Sequence, residues 1–107
     1  MARSVRVIYR NMQGRVRCNV NLDAITENTP VIVTEAEWAP AGGIFGILVG
    51  RPNTGAANVY VTNIGPHGTS GEAGGVEFYL HVDWDWPLFA CVSITVLEPF
   101  EQTVAGN

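Results

Sequence analysis

Residues 76–86 read V-E-F-Y-L-H-V-D-W-D-W, and this stretch decides the fold. Val76, Phe78, Leu80, Val82, Trp84 and Trp86 occupy the even positions, while Glu77, Tyr79, His81, Asp83 and Asp85 occupy the odd ones. Successive side chains of a β-strand point to opposite faces, so this period-two pattern predicts a strand over Val76–Trp86 with one dry face and one wet face. The wet face gathers a tyrosine, a histidine and three carboxylates.

Outward from that strand, Leu88–Leu97 supplies the last one, and Pro99 with the polar residues after it ends the pattern. If the two strands form a hairpin, their apolar sets share a side only when Val82 faces Val92 and Leu80 faces Ile94. That register requires an odd-numbered connection near Asp85–Phe89 and sets Trp84 and Trp86 at its tip. It also brings His81 opposite Ser93, and Asp83 opposite Cys91.

Toward the N-terminus the same reasoning pairs two further strands. Val5, Val7 and Tyr9 form one face of the first, and Val16, Cys18, Val20 and Leu22 one face of the second, with a polar turn at 11–14 between them. Matching Tyr9 with Val16, Val7 with Cys18 and Val5 with Val20 leaves Arg6, Arg10, Arg15, Arg17, Asn19 and Asn21 on the other face. Arg10 then lies across from Arg15, a like-charge pair that asks for a carboxylate or an anion between its members.

A third strand over Pro30–Ala39 alternates Ile32, Ala36 and Trp38 against Glu35 and Glu37, which are expected to neighbour the arginines. Pro40–Asn58 contains the apolar run Ile44–Val49, bracketed by glycines and read as a short buried or interfacial strand followed by a loop at Arg51–Gly55. Asn58–Ile64 is a further strand. Gly65–Gly75, with His67, Ser70 and Glu72, is a glycine-rich connector that lacks the lysine and following helix of a phosphate-cradling loop. No stretch carries helical spacing. The expectation is a single all-β domain over residues 1–107, an antiparallel β-sandwich of about seven strands, with a small β-barrel or jelly roll as the alternative.

Composition narrows the function. The chain is 47% hydrophobic and 15% charged, against about 25% charged in an average soluble protein, so part of its apolar surface is expected to be covered in a homo-oligomer with an interface of at least about 1,000 Å². All six cations are arginines and five lie within the first seventeen residues, whereas ten carboxylates follow. This asymmetry reads either as an anion-binding or interface face at Arg6, Arg10, Arg15 and Arg17, or as basic strands lying beside acidic ones. With a net charge of −4, nucleic acid is not the expected partner. The run Ile44–Val49 is far shorter than the ~20 residues of a membrane span, and no secretory signal is visible, so the default expectation is cytoplasmic. Cys18 and Cys91 are too few for a disulfide framework or a paired-cysteine zinc site, and Cys18 reads as a reduced, buried side chain.

The candidate ligand site is Trp84, Trp86, Asp83, Asp85, His81 and Tyr79. A tryptophan near a loop tip stacks on a pyranose face while flanking carboxylates accept hydroxyl hydrogen bonds, the chemistry of a lectin-like, carbohydrate-binding module. The competing reading is that both indoles cap the end of the core. Two aspartates two apart also invite calcium, but a full site needs about six oxygens and no ligand loop has the required spacing. Neither His81, Ser93 and Asp83 as a catalytic triad nor His81, Asp83 and Cys91 as a zinc site is favoured. Ser93 sits mid-strand with its backbone committed, and a cross-strand grouping of His, Asp and Cys is commonly a coincidence. The expectation is therefore a non-enzymatic protein without cofactor. It is either a weak saccharide binder in an oligomer or a structural subunit of a homo-oligomer or shell.

Overall fold

A computed structural model describes residues 2–69 and 71–107, and within them every side chain except those of residues 43–45. Seven strands form in the described residues: β1 (Arg3–Met12), β2 (Gly14–Asn21), β3 (Val31–Pro40), β4 (Gly50–Asn53), β5 (Asn58–His67), β6 (Gly75–Asp83) and β7 (Leu88–Val96). They make two antiparallel sheets, one in the order β1-β7-β3-β4 and the other β2-β6-β5, packed as a β-sandwich.

The central strands of the two sheets supply the core. Val76, Phe78, Leu80 and Val82 of β6 are all at most 1% exposed, and Ala90, Val92, Ile94 and Val96 of β7 are buried with them. Alternation on β6 thus reads as expected up to Asp83, where the strand stops. Trp84 and Trp86 continue its parity but lie in the bend that follows, not in the ladder.

Neither expected hairpin forms. β6 and β7 belong to different sheets, as do β1 and β2. The connection 84–87 is an arch that carries the chain across the roughly 10 Å between layers, so the two apolar faces meet face to face instead of side by side. β1 pairs instead with β7, Val5 opposite Ile94 and Val7 opposite Val92, while β2 pairs with β6, Cys18 opposite Phe78 and Val16 opposite Leu80. Asn11 and Gly14 take φ of 51° and 71° at the first arch. Tyr9 and Cys18 come from opposing sheets, and burial followed by the cysteine's proximity pushes the phenol's pKa upward, while the Cys18 thiol donates to the Val16 carbonyl at 3.7 Å.

Other boundaries move for local reasons. Gly43–Leu48 is a 3-10 segment broken at Gly46 (φ 63°), not a strand, and the Ile47 carbonyl accepts a 2.8 Å hydrogen bond from the Trp38 indole. Of the expected apolar run, the side chains of Ile44 and Phe45 lie outside the described residues, and Leu48 is 76% exposed. Residues 51–53 of the expected loop at Arg51–Gly55 instead belong to β4. β5 runs on to His67 across a bulge at Asn63, and Ser70 of the connector lies outside the described residues. The connector's glycines serve close approach: a Cβ on Gly74 would sit 2.2 Å from the Ile25 carbonyl oxygen. That lets the loop close over the fully buried Ile25 at this end of the sandwich.

Glu35 and Glu37 do not meet the arginines. Glu35 shares the inward side of its sheet with Val7 and Val92, and Glu37 accepts a hydrogen bond from the Asn53 amide. Both carboxylates lie on the opposite side of their sheet from Arg6. Glu35 has no hydrogen-bond or ion-pair partner among the described residues, and burial raises its pKa. A carboxyl whose folded pKa is raised contributes stability below its unfolded pKa and loses it as pH rises through the folded value. Glu35→Gln should therefore raise the melting temperature at pH 7, and thermal melts across pH should show the gain vanishing below about pH 4.

Candidate recognition surface

The outward face of the three-stranded sheet carries the odd-numbered residues of β6, now flanked on both sides. Arg15, His81 and Tyr60 form one cross-strand row, and Arg17, Tyr79 and Thr62 the next. The rows are knitted to each other. Tyr60 stacks on His81 with centroids 4.4 Å apart and planes 4° off parallel, and the Thr62 hydroxyl lies 2.8 Å from His81 Nε2. The Arg15 guanidinium sits 3.8 Å above the Tyr79 ring, and Arg17 pairs with Glu77 at 3.1 Å. At the far end His67 Nδ1 donates to the Ala73 carbonyl at 2.8 Å, and Nε2 lies 2.7 Å from the Asn19 amide oxygen. This latches the glycine-rich connector to the sheet.

His81 and Tyr79 are thus committed to neighbours on their own face. One face of the His81 ring is covered by Tyr60 and its Nε2 by Thr62, while Tyr79 lies under a cation. Of the six candidate residues, the structure places Tyr79 and His81 within this sheet face and Asp83, Trp84, Asp85 and Trp86 at or beyond its end. Trp84 packs half-buried on the end of the core, and its carbonyl accepts a 3.1 Å hydrogen bond from the Gln13 side chain at the neighbouring arch. Trp86 stands 57% exposed, held edge-to-face against Trp84 at 5.5 Å and 74°. Asp83 and Asp85 are both exposed beside it, and Asp83 faces Asn58 across the sheet. One indole caps the core while the other projects.

The remaining expected groupings come apart. His81 and Asp83 lie on the outer face of one sheet, Ser93 and Cys91 on the outer face of the other, so the layered core separates them. Cys91 is nevertheless buried, on a face where the Arg6 guanidinium reaches to 5.2 Å from the Trp38 ring. Cys18 is buried and free, as its strand position implied. No group of three or more His, Cys, Asp or Glu arranged to hold a metal occurs among the described residues. No helix among them is long and apolar enough to cross a membrane.

The arginines do not share one face either. Arg6 lies on the four-stranded sheet, Arg15 and Arg17 on the three-stranded one, and the Arg10–Arg15 pair never forms. What unites them is position: β1 and β2 are the edge strands of their sheets, stacked at the same side of the sandwich. Arg3, Arg6 and Arg10 on one, with Arg15 and Arg17 on the other, put charge along two open edges, a common guard against indiscriminate strand pairing. At the opposite side Pro52 on β4 and the β5 bulge interrupt the edges.

Tyr60, Thr62, Asn58 and Gln13 were not singled out from sequence. The alternation of Val59 and Val61 with Tyr60 and Thr62 carries the signal, but it becomes legible only once β5 is known to lie beside β6. No family model, curated protein or solved structure matches the chain.

The two indoles should separate by stability. A fully buried aromatic truncated to alanine costs about 3–5 kcal/mol, so the half-buried Trp84 should cost about 2 kcal/mol, on the order of 10 °C in melting temperature for a domain of this size. Trp86→Ala should change it little. Differential scanning calorimetry of the two variants checks this, and equal losses would place Trp86 in the core.

Proposed function

We propose that the protein is a non-enzymatic, lectin-like binding module that recognises a neutral or basic saccharide weakly at the 83–86 tip and gains avidity from repetition in an oligomer. The observation that carries this reading is Trp86, a large flat ring held out into solvent at 57% exposure, braced from behind by Trp84 and flanked by two exposed carboxylates. An exposed indole costs apolar hydration and repays it only when something covers it. A pyranose ring offers a C–H face for the indole and equatorial hydroxyls for Asp83 and Asp85, and a protonated amine on the sugar adds attraction to the same carboxylates. Both arches that meet at the Gln13–Trp84 hydrogen bond fix the tip, so little ordering is required on binding.

A structural subunit is the second reading. It is favoured by Leu48 at 76%, Ile32 at 50% and Val104 at 73% exposure, apolar side chains that a partner surface would cover. The two readings are compatible, because weak single sites gain affinity by multivalent presentation.

A glycan array probed with the free protein, followed by calorimetric titration of the strongest neutral or amino-sugar hit, tests the saccharide reading. Trp86→Ala should abolish the response with an unchanged fold, and Asp83→Asn with Asp85→Asn should weaken it by roughly tenfold, the equivalent of about 1.4 kcal/mol. Absence of any glycan response from the oligomeric wild type would leave the structural-subunit reading alone.

A further inference from the structure

We propose that the open edge of β1 receives residues Phe100–Val104 of a second copy of this chain as an added strand. The proposal concerns how copies join and holds whether or not the tip binds saccharide. β1 is ten residues long and among the described residues pairs only with β7, leaving its other side a row of backbone donors and acceptors. Beside its first residues the sandwich is incompletely closed: a cleft of about 390 Å³ opens between the layers, lined by Arg3, Ser4, Val5, Leu22, Asp23 and Val96. Val5 is 38% exposed there although it lies on the inward side of its sheet.

The occupant is suggested by the segment F-E-Q-T-V at 100–104. Its residues are exposed and outside any strand. In extended form Phe100, Gln102 and Val104 share one face, with Phe100 and Val104 exposed at 57% and 73%, and Glu101 and Thr103 share the other. Five residues span about 17 Å at ~3.4 Å each, matching the front half of β1. Laid along that edge, the face of Phe100 and Val104 turns toward Val5 and the cleft, while Glu101 turns to the outer face, where the Arg6 guanidinium would swing from the Trp38 ring to meet it. The arginines that repel another β1 therefore admit an acidic strand, attraction and exclusion from the same charges.

The chain's own segment is directed elsewhere. Leu97 N–H donates to the Pro30 carbonyl and Phe100 N–H to the Asn28 carbonyl, both at 3.1 Å. These bonds lead the segment off on the β3 side of β7, and β1 lies on the other side. A strand from a second copy meets no such constraint, and pairing by an added edge strand is a recurrent mode of recognition.

The test is a charge exchange in the full chain, read by light scattering and sedimentation across concentration, with far-UV circular dichroism as the control for folding. Wild type should self-associate. Arg6→Glu and Glu101→Arg should each weaken association by about tenfold or more, because each sets like charges together. The double variant, or an equimolar mixture of the two single variants, should restore it, since each then offers an opposite charge to the other. Folded Phe100→Asp/Val104→Asp protein should be monomeric. A monomeric wild type, single charge variants that associate as wild type does, or association that survives the Phe100 and Val104 changes would overturn the proposal. A Ser4→Cys/Val104→Cys variant oxidised at low concentration adds a direct readout. Cross-linked dimers support exchange between copies, and a disulfide closed within one chain contradicts it.

Discussion

The face-to-face burial of β6 on β7 is the constraint on which the other features depend. Val76, Phe78, Leu80 and Val82 pack from one layer against a strand of the other whose inward set is Ala90, Val92, Ile94 and Val96. Removing this much apolar surface from water is the main favourable term available to a chain with no disulfide and little charge. Once these strands are assigned to different layers, the short chain between them must cross the sandwich, and that crossing leaves Trp84 against the core and Trp86 beyond it. The projecting tip is a by-product of how the core closes.

The same layering explains the distribution of charge. With β7 and β6 inside their sheets, β1 and β2 fall to the edges, and these two strands carry five of the six arginines; the sixth, Arg51, lies on the edge strand β4. An edge strand is exposed by definition, and long cationic side chains keep it soluble and selective. The acidic residues sit elsewhere for separate reasons: Glu77 offsets Arg17, Glu37 ties β3 to Asn53, and Asp83 and Asp85 ornament the tip. The basic start of the sequence thus falls on the two edge strands β1 and β2.

Alternation made the fold class legible and also misled on pairing, for one physical reason. Period two reports which side of a sheet a residue faces, and Val5, Val7, Tyr9, Val16 and Cys18 all face the interior as the pattern implies. It does not report whether the facing partner lies beside the strand or across the layer, since both arrangements bury the same side chains. Val82 and Val92 are core residues under a hairpin or an arch alike. Only the pairing consequences differ, so every inference that needed neighbours failed: Arg10 with Arg15, His81 with Ser93, and the arginines with Glu35. Trp84 and Trp86 stand at the end of the strand under a hairpin or an arch alike, because both connections turn the chain just after Asp83. The stacking of His81 on Tyr60 and its contact with Thr62 were not legible, because they depend on residues 21 and 19 positions away in sequence.

The division between a core-capping and a projecting indole is the centre of the account, and the three tryptophan indole N–H signals in a proton–nitrogen NMR spectrum test it in one sample. Trp38, whose indole is bonded to the Ile47 carbonyl, should exchange with water slowly and Trp86 rapidly. On titration with a neutral trisaccharide and then with a glucosamine trimer, the Trp86 signal should move with at least one of them while Trp38 stays fixed. A Trp86 signal protected from exchange, or one that stays fixed while residues of the Tyr60–His81 face shift, would contradict the account.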